Sequence, residues 1–142
     1  GLRPLGYMRD FAYASLEPER MGLGPVYATS RLMKQAKFQM SDIEYIEINE
    51  AFAAQVIACE RASDSDEFAR KYLNRDKKIG LFDRSIMNLQ GGAIALGHPV
   101  GMTGTRIVLH TLRELRRQNK GTGLATLCIG GGQGAAILLE AA

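Results

Sequence analysis

The sequence has few cysteines and no long apolar run, and these absences exclude several classes of protein. Its 142 residues include two cysteines, Cys59 and Cys128, too few for a disulfide framework. No apolar run approaches the ~20 residues that a membrane-spanning helix needs, and no signal peptide is visible. We therefore expect a reducing compartment, the cytoplasm or an organelle, with any leader missing from this chain, and we expect no membrane span.

The charge is mild and dispersed. A net charge of +3 is spread over scattered basic residues, and the run Arg113–Arg117 fits the solvated end of a helix. No stripe of basic and aromatic residues is present, which argues against a nucleic-acid partner. Apolar residues make up 46% of the chain and charged residues 23%, the balance of an ordinary globular protein. The length fits one domain over residues 1–142.

Strand and helix patterns alternate along the chain in the order β-α-β-α-β-α-β-β. Alternation predicts an α/β fold, with parallel strands joined by crossover helices on both faces of the sheet. The last two strands are too close in sequence for a crossover, so they should be antiparallel. The prediction is a mixed five-stranded sheet with strands at 5–13, 45–48, 85–89, 124–128 and 135–139, and main helices at 25–38, 51–62 and 103–120.

Three short stretches lie where predicted strands end, which is where open α/β sheets bind ligands. The first is Asn49–Glu50–Ala51–Phe52–Ala53–Ala54. Asn49 stands between a strand and a helix, so the simplest interpretation is an N-cap that accepts from a free backbone N–H. The alternative is that its amide holds a water or polarises a ligand oxygen.

The second stretch is rich in glycine and runs from Gly91 to Gly104 around His98. The histidine, between Gly97 and Pro99, is either satisfied within a packed turn or able to donate from Nε2 to a substrate oxygen. The glycines resemble a phosphate cradle, but no Lys-Ser/Thr pair follows, so this is not a P-loop. A nucleotide-binding module is therefore disfavoured.

The third stretch is Cys128–Ile129–Gly130–Gly131–Gly132–Gln133–Gly134. Cys128 is either a small apolar residue at the base of a turn or a thiol placed for chemistry beside backbone N–H groups. Cys59, within a predicted helix, is interpreted as core. His110 lies inside the last helix and has no partner that the sequence indicates.

Together, in this order and spacing, the three stretches resemble the thiolase family. The motifs Asn-Glu-Ala-Phe, Gly-His-Pro-x-Gly-x-Thr-Gly and Cys-x-Gly-Gly-Gly-x-Gly are all present. The resemblance covers Leu2 to Ala142 and identifies the chain as the second of two similar thiolase-like domains. It implies acyl transfer between coenzyme A and 3-ketoacyl-CoA, with coenzyme A as a substrate and no bound cofactor or metal.

The resemblance also implies a role for each site residue. Asn49 would hold a water that forms an oxyanion hole with His98, and His98 would help to activate a nucleophilic cysteine. Cys128 would act as general acid and base. The backbone N–H of Gly130 would contribute to a second oxyanion hole around the thioester carbonyl of the acyl-enzyme.

The nucleophilic cysteine belongs to the first domain in this family, so we expect the isolated chain to be inactive. The implied partners are CoA thioesters, an N-terminal thiolase domain, and further copies in a dimer or tetramer. The segment 62–84 resembles thiolases of fatty-acid β-oxidation, although those often carry His where this chain has Asn49. The alternatives are a biosynthetic acetoacetyl-CoA thiolase, a non-catalytic thiolase-like interaction domain, and a ketoacyl synthase, against which Cys128 argues.

Overall fold

A mixed sheet of four strands forms the centre of the molecule in the computed structural model, which describes residues 1–142. The strands are β1 (Gly6–Ser15), β2 (Tyr45–Ile48), β3 (Thr122–Ile129) and β4 (Gln133–Ala141). The helices are α1 (Gly24–Ala36), α2 (Ala53–Ser63), α3 (Asp66–Tyr72), α4 (Ala93–Leu96) and α5 (Thr103–Arg117). None of these helices has the length and apolar character that crossing a membrane requires.

The spatial order of the strands is β1-β4-β3-β2. Strand β4 pairs antiparallel with both of its neighbours, as predicted for β3 and β4, while β2 and β3 are parallel. The carboxyl ends of β2 and β3 therefore meet at one edge of the sheet. The turn from β3 into β4 lies at the same edge.

Alternate residues of the strands face opposite layers of helix. Leu124 packs in the main core with Leu32 of α1, whereas its neighbour Ala125 packs with Ile107 of α5. Helix α1 thus covers one face and α5 the other, which confirms the predicted α/β layering. Two separate buried clusters result, because the sheet divides them.

The predicted fifth strand at 85–89 is wrong in extent. Only one parallel bridge forms there, between Met87 and Ile46. The next residue, Asn88, has φ +49, so the backbone turns away from the extended conformation. Its side chain takes over the pairing: Oδ1 accepts from the backbone N–H of Ile48, and Nδ2 donates to the carbonyl of Ile48, each at 2.9 Å.

Candidate active site

Asn49 directly follows β2 and is almost fully buried, with 1% of its surface exposed. Its backbone N–H donates to the carbonyl of Thr126 at 2.9 Å, which fixes it against β3. The N-cap interpretation is wrong, because α2 begins only at Ala53 and its N-cap is Phe52. The side-chain oxygen Oδ1 has no hydrogen-bond partner. A buried, unpartnered amide oxygen is costly for folding, so it indicates a site for a water or ligand.

His98 lies on the exposed loop between α4 and α5. Its Nδ1 is 2.7 Å from Oγ1 of Thr103, and that hydroxyl donates to the carbonyl of Pro99 at 3.0 Å. Because the single hydroxyl proton is used in the latter bond, Nδ1 of His98 must be the donor in the former. In the neutral imidazole, Nε2 then carries a free lone pair and accepts from Nδ2 of Asn49, 3.4 Å away.

Cys128 is the penultimate residue of β3, where it pairs with Gly134. It is partly buried, and this burial raises the pKa of its thiol above the ordinary value. The group is thus a protonated thiol at neutral pH. Cys59 is fully buried, as predicted, with the pKa of its thiol raised to about 12 by burial. It donates to the carbonyl of Gly22 at 3.2 Å.

The structure brings Asn49 and His98 into direct contact and sets Cys128 on the neighbouring strand. Ile48 pairs with Thr126 in the parallel register, so Asn49 and Cys128 follow this pair at the carboxyl edge of the sheet. No hydrogen bond joins Cys128 to either of the other two side chains. The three groups therefore share an edge of the sheet but form one bonded pair and one separate thiol.

Gly130 opens the turn between β3 and β4 and is exposed. An added Cβ there would meet no atom within 4 Å, so packing inside this chain does not explain the glycine. Gly131 and Gly132 differ, since their φ angles of +84 and +86 favour glycine. A Cβ on Gly132 would also collide with the carbonyl of Leu16. The backbone conformation of the turn thus explains the glycines at 131 and 132. It does not explain Gly130, where the absence of a side chain leaves the backbone accessible to an approaching group.

Sequence reasoning missed two residues that hold the histidine-bearing loop. Nδ2 of Asn88 also donates to Oε1 of Glu50, and Oε2 of Glu50 accepts from the N–H of Ile94, both at 3.0 Å. A Cβ on Gly92 would collide with the same carboxylate, so this glycine admits the close approach. Glu50 thus ties the end of β2 to the start of α4. In the sequence, only the position of Glu50 directly after Asn49 in the first motif indicated that it could have a role.

His110, for which the sequence indicates no partner, has one in the structure. Its Nδ1 lies 3.0 Å from Oε1 of Glu47, a carboxylate on β2 that is 2% exposed. The partner was not visible in the sequence because 63 residues separate the two positions, and only the packing of α5 on β2 joins them.

Comparison with known proteins gives a consistent picture. The family model described as "Thiolase, C-terminal domain" matches residues 2–141. The 3-ketoacyl-CoA thiolase of Aliivibrio fischeri is 45% identical over 141 residues, which is 99% of this chain and 32% of that protein. The enzyme of the same name from Yersinia pestis is 47% identical over the same length. The chain spans about a third of the length of these curated relatives.

Solved structures agree in fold. The crystal structure of the Bacillus anthracis acetyl-CoA acetyltransferase superposes with a TM-score of 0.83 at 35% identity. Human mitochondrial 3-ketoacyl-CoA thiolase in complex with CoA gives a TM-score of 0.82 at 38% identity. Each match covers 99% of this chain and 31–32% of the larger one.

Proposed function

The chain belongs to the thiolase family, and from this premise we propose that it is the C-terminal catalytic domain of a 3-ketoacyl-CoA thiolase. The reaction would transfer an acyl group between coenzyme A and 3-ketoacyl-CoA, with coenzyme A as substrate and no bound cofactor. The single observation that carries the proposal is the contact between Asn49 and His98 beside an unpartnered buried amide oxygen.

The first oxyanion hole would form at this contact. Cleavage of a 3-ketoacyl chain expels an enolate of acetyl-CoA, and negative charge develops on its thioester oxygen. With Nδ1 of His98 protonated, Nε2 would exchange its contact with Nδ2 of Asn49 for the proton of the nucleophilic cysteine. The resulting imidazolium then donates from Nε2 to the oxyanion, beside a water held by Asn49. One such donor is commonly worth roughly 3–4 kcal/mol of barrier.

Cys128 would be the acid and base. The enolate carbon must be protonated during cleavage and deprotonated during condensation, and a thiol can do both. The raised pKa of Cys128 keeps its proton available for the cleavage direction. The N–H of Gly130 would form the second oxyanion hole, at the carbonyl of the acyl-enzyme.

A second domain would supply the nucleophilic cysteine, since neither thiol of this chain suits that role. An exposed apolar cleft between α5 and the sheet supports such a partner, because patches of this kind mark interfaces. The side chains that line the cleft include Tyr13, Val108, Leu112, Leu127, Ile129 and Ile137. Assembly of the complete enzyme into dimers or tetramers belongs to the same proposal.

Fatty-acid β-oxidation is the proposed context, supported by the resemblance of the segment 62–84 to thiolases of that process, and the curated relatives are named 3-ketoacyl-CoA thiolase. The alternatives are a biosynthetic acetoacetyl-CoA thiolase and a non-catalytic interaction domain. Comparing acetoacetyl-CoA with a long-chain 3-ketoacyl-CoA as substrates separates the two enzymes. Equal turnover of both, or a strong preference for acetoacetyl-CoA, would reject the β-oxidation assignment.

The proposal is tested by joining the chain to an amino-terminal thiolase domain in one polypeptide and measuring thiolysis. We expect turnover from the joined protein, none from the 142-residue chain alone, and a loss of about 100-fold in kcat for Asn49→Ala. The matched control is Asn119→Ala, a change of an exposed asparagine two residues after the end of α5. A joined Asn49→Ala variant with full activity would refute the oxyanion hole.

A further inference from the structure

A line of buried polar side chains runs along the α5 face of β2. Tyr45 and Glu47 are 0% and 2% exposed, and Asn49 follows them at the next alternate position. The intervening residues Ile46 and Ile48 face the opposite, apolar core. Strand β2 lies at the edge of the sheet but is buried along its whole length, and buried polar groups in such a strand cost stability unless they are paired. Their presence at three successive alternate positions therefore requires an explanation.

The first two of these side chains contact each other and helix α5. The hydroxyl of Tyr45 donates to Oε1 of Glu47, and Nδ1 of His110 lies 3.0 Å from the same oxygen. The contact between His110 and Glu47 is the only polar side-chain contact between β2 and α5. The rest of the contact between the two elements is packing, which is non-directional, whereas a hydrogen bond fixes which atoms meet.

The catalytic pair depends on how the same two elements are aligned. Asn49 is carried by β2, whereas His98 is held through Thr103 in the first turn of α5. Their mutual contact, at 3.4 Å, is at the long end of the hydrogen-bond range. A small shift of α5 along β2 would therefore break it.

We infer that Glu47 and His110 are positioning residues, which set α5 against β2 and thereby hold the imidazole of His98 at the amide of Asn49. The alignment itself follows from the contacts of this chain, and its consequence for catalysis rests on the proposed function. Tyr45 orients the carboxylate by occupying the same oxygen.

The carboxylate is retained at a cost. Burial raises the pKa of Glu47 to about 7, and the charges of Glu114 and Glu50 add to this effect, while Arg106 and the bond from Tyr45 oppose it. An apolar residue would fill this position without that cost. An apolar residue would not, however, make the polar contact to His110 of α5.

The test is an NMR measurement on the chain, which contains only two histidines, so their ring signals can be assigned from the spectrum of one variant. The readout is the nuclear Overhauser effect between the side-chain amide of Asn49 and the ring of His98. We expect it to be lost in Glu47→Leu and in His110→Leu. It should be retained in Glu47→Gln, which keeps an acceptor for His110, and in Glu140→Leu, a matched change at a partly exposed position of β4.

Retention of the effect in a folded Glu47→Leu or His110→Leu chain would overturn the inference. If Glu47→Leu does not fold, His110→Leu decides alone, because this helix position is partly exposed. In the double variant Glu47→Leu/His110→Leu, the nuclear Overhauser effect should weaken no further than in either single variant, because each substitution removes the same contact.

Turnover is measured separately in the joined polypeptide, where Glu47→Leu should lower kcat by about tenfold with KM unchanged and Glu47→Gln should restore most of it. No turnover in the wild-type joined protein would reject the proposed function while leaving the NMR result decisive for the alignment. An unchanged kcat in Glu47→Leu would reject the catalytic consequence.

Discussion

Nε2 of His98 lies 3.4 Å from Nδ2 of Asn49, although 49 residues separate the two in sequence. Asn49 directly follows β2, and His98 precedes α5, the helix that packs on that strand. Neither has another side-chain partner at that atom. The contact therefore reports directly on the alignment of β2 and α5, and several predictions depend on it.

Thr103→Val should lower kcat of the joined enzyme by about tenfold, because His98 loses the acceptor that fixes its tautomer. The lost hydrogen bond is worth roughly 1–1.5 kcal/mol, which corresponds to this factor. Thiolysis rates give the measurement. Thr122→Val, the matched change at the opposite end of β3 from Cys128, is the control and should leave the rate unaltered. Equal losses in both variants would contradict a specific role for Thr103.

Cys128→Ala should slow condensation by about 100-fold or more while leaving acylation of the nucleophilic cysteine partly intact. The reason is that only the condensation and cleavage step moves a proton at the enolate carbon. Rapid-quench measurement of acyl-enzyme and product separates the two steps. Cys59→Ala should lower stability but not the rate per folded molecule, since Cys59 is buried in the core. A condensation rate that is unaffected by Cys128→Ala would reject its assigned role.

Asn88→Ala should destabilise the chain by roughly 2–4 kcal/mol, because both backbone groups of Ile48 lose their partner. Urea unfolding gives the free energy. Part of the loss comes from the positive φ at this position, and Asn119→Ala, at φ +53 on the surface, measures that part alone. Similar losses in the two variants would show that the side-chain pairing contributes little.

Gly132→Ala should cost more stability than Gly131→Ala. Both positions have nearly equal positive φ angles, so the strain of roughly 1–2 kcal/mol is shared. Only at Gly132 does the added Cβ collide with backbone, at the carbonyl of Leu16. The difference between the two urea midpoints isolates this collision, and a difference of zero would mean that β1 and the turn can move apart freely.

Glu47 should make the chain less stable as the pH rises from 4.5 to about 7. The unfolded carboxyl loses its proton near its ordinary pKa of 4.5, whereas the buried one keeps it until about 7. The folded state thus binds more protons in this window, and the stability from the neutral carboxyl, on the order of 3 kcal/mol, is lost across it. Glu47→Gln has no carboxyl to ionise, so it should not show that loss, and its free energy of unfolding should rise relative to that of the wild type between pH 4.5 and about 7. An equal pH dependence of the unfolding free energy in the two proteins would contradict the raised pKa of Glu47.

The strands and helices were largely predictable from hydrophobic periodicity. The antiparallel pairing of β3 and β4 followed from their short connection, and the helix predicted at 103–120 begins where α5 does. The failure at 85–89 has a clear cause. A short apolar stretch resembles a strand, but Asn88 adopts a left-handed conformation and pairs through its side chain, which a two-residue period cannot reveal.

By itself, the sequence determined the family, the α/β layering and the candidacy of Asn49, His98, Cys128 and Gly130, because motif spacing and apolar periodicity are local properties. Tertiary structure alone decided that Asn49 caps no helix and instead meets His98, and that His110 meets Glu47. Such contacts depend on how α5 packs across β2, and packing joins residues whose separation along the chain carries no periodic signal. The burial of Asn49 Oδ1 without a hydrogen-bond partner likewise results only from tertiary packing at the edge of the sheet.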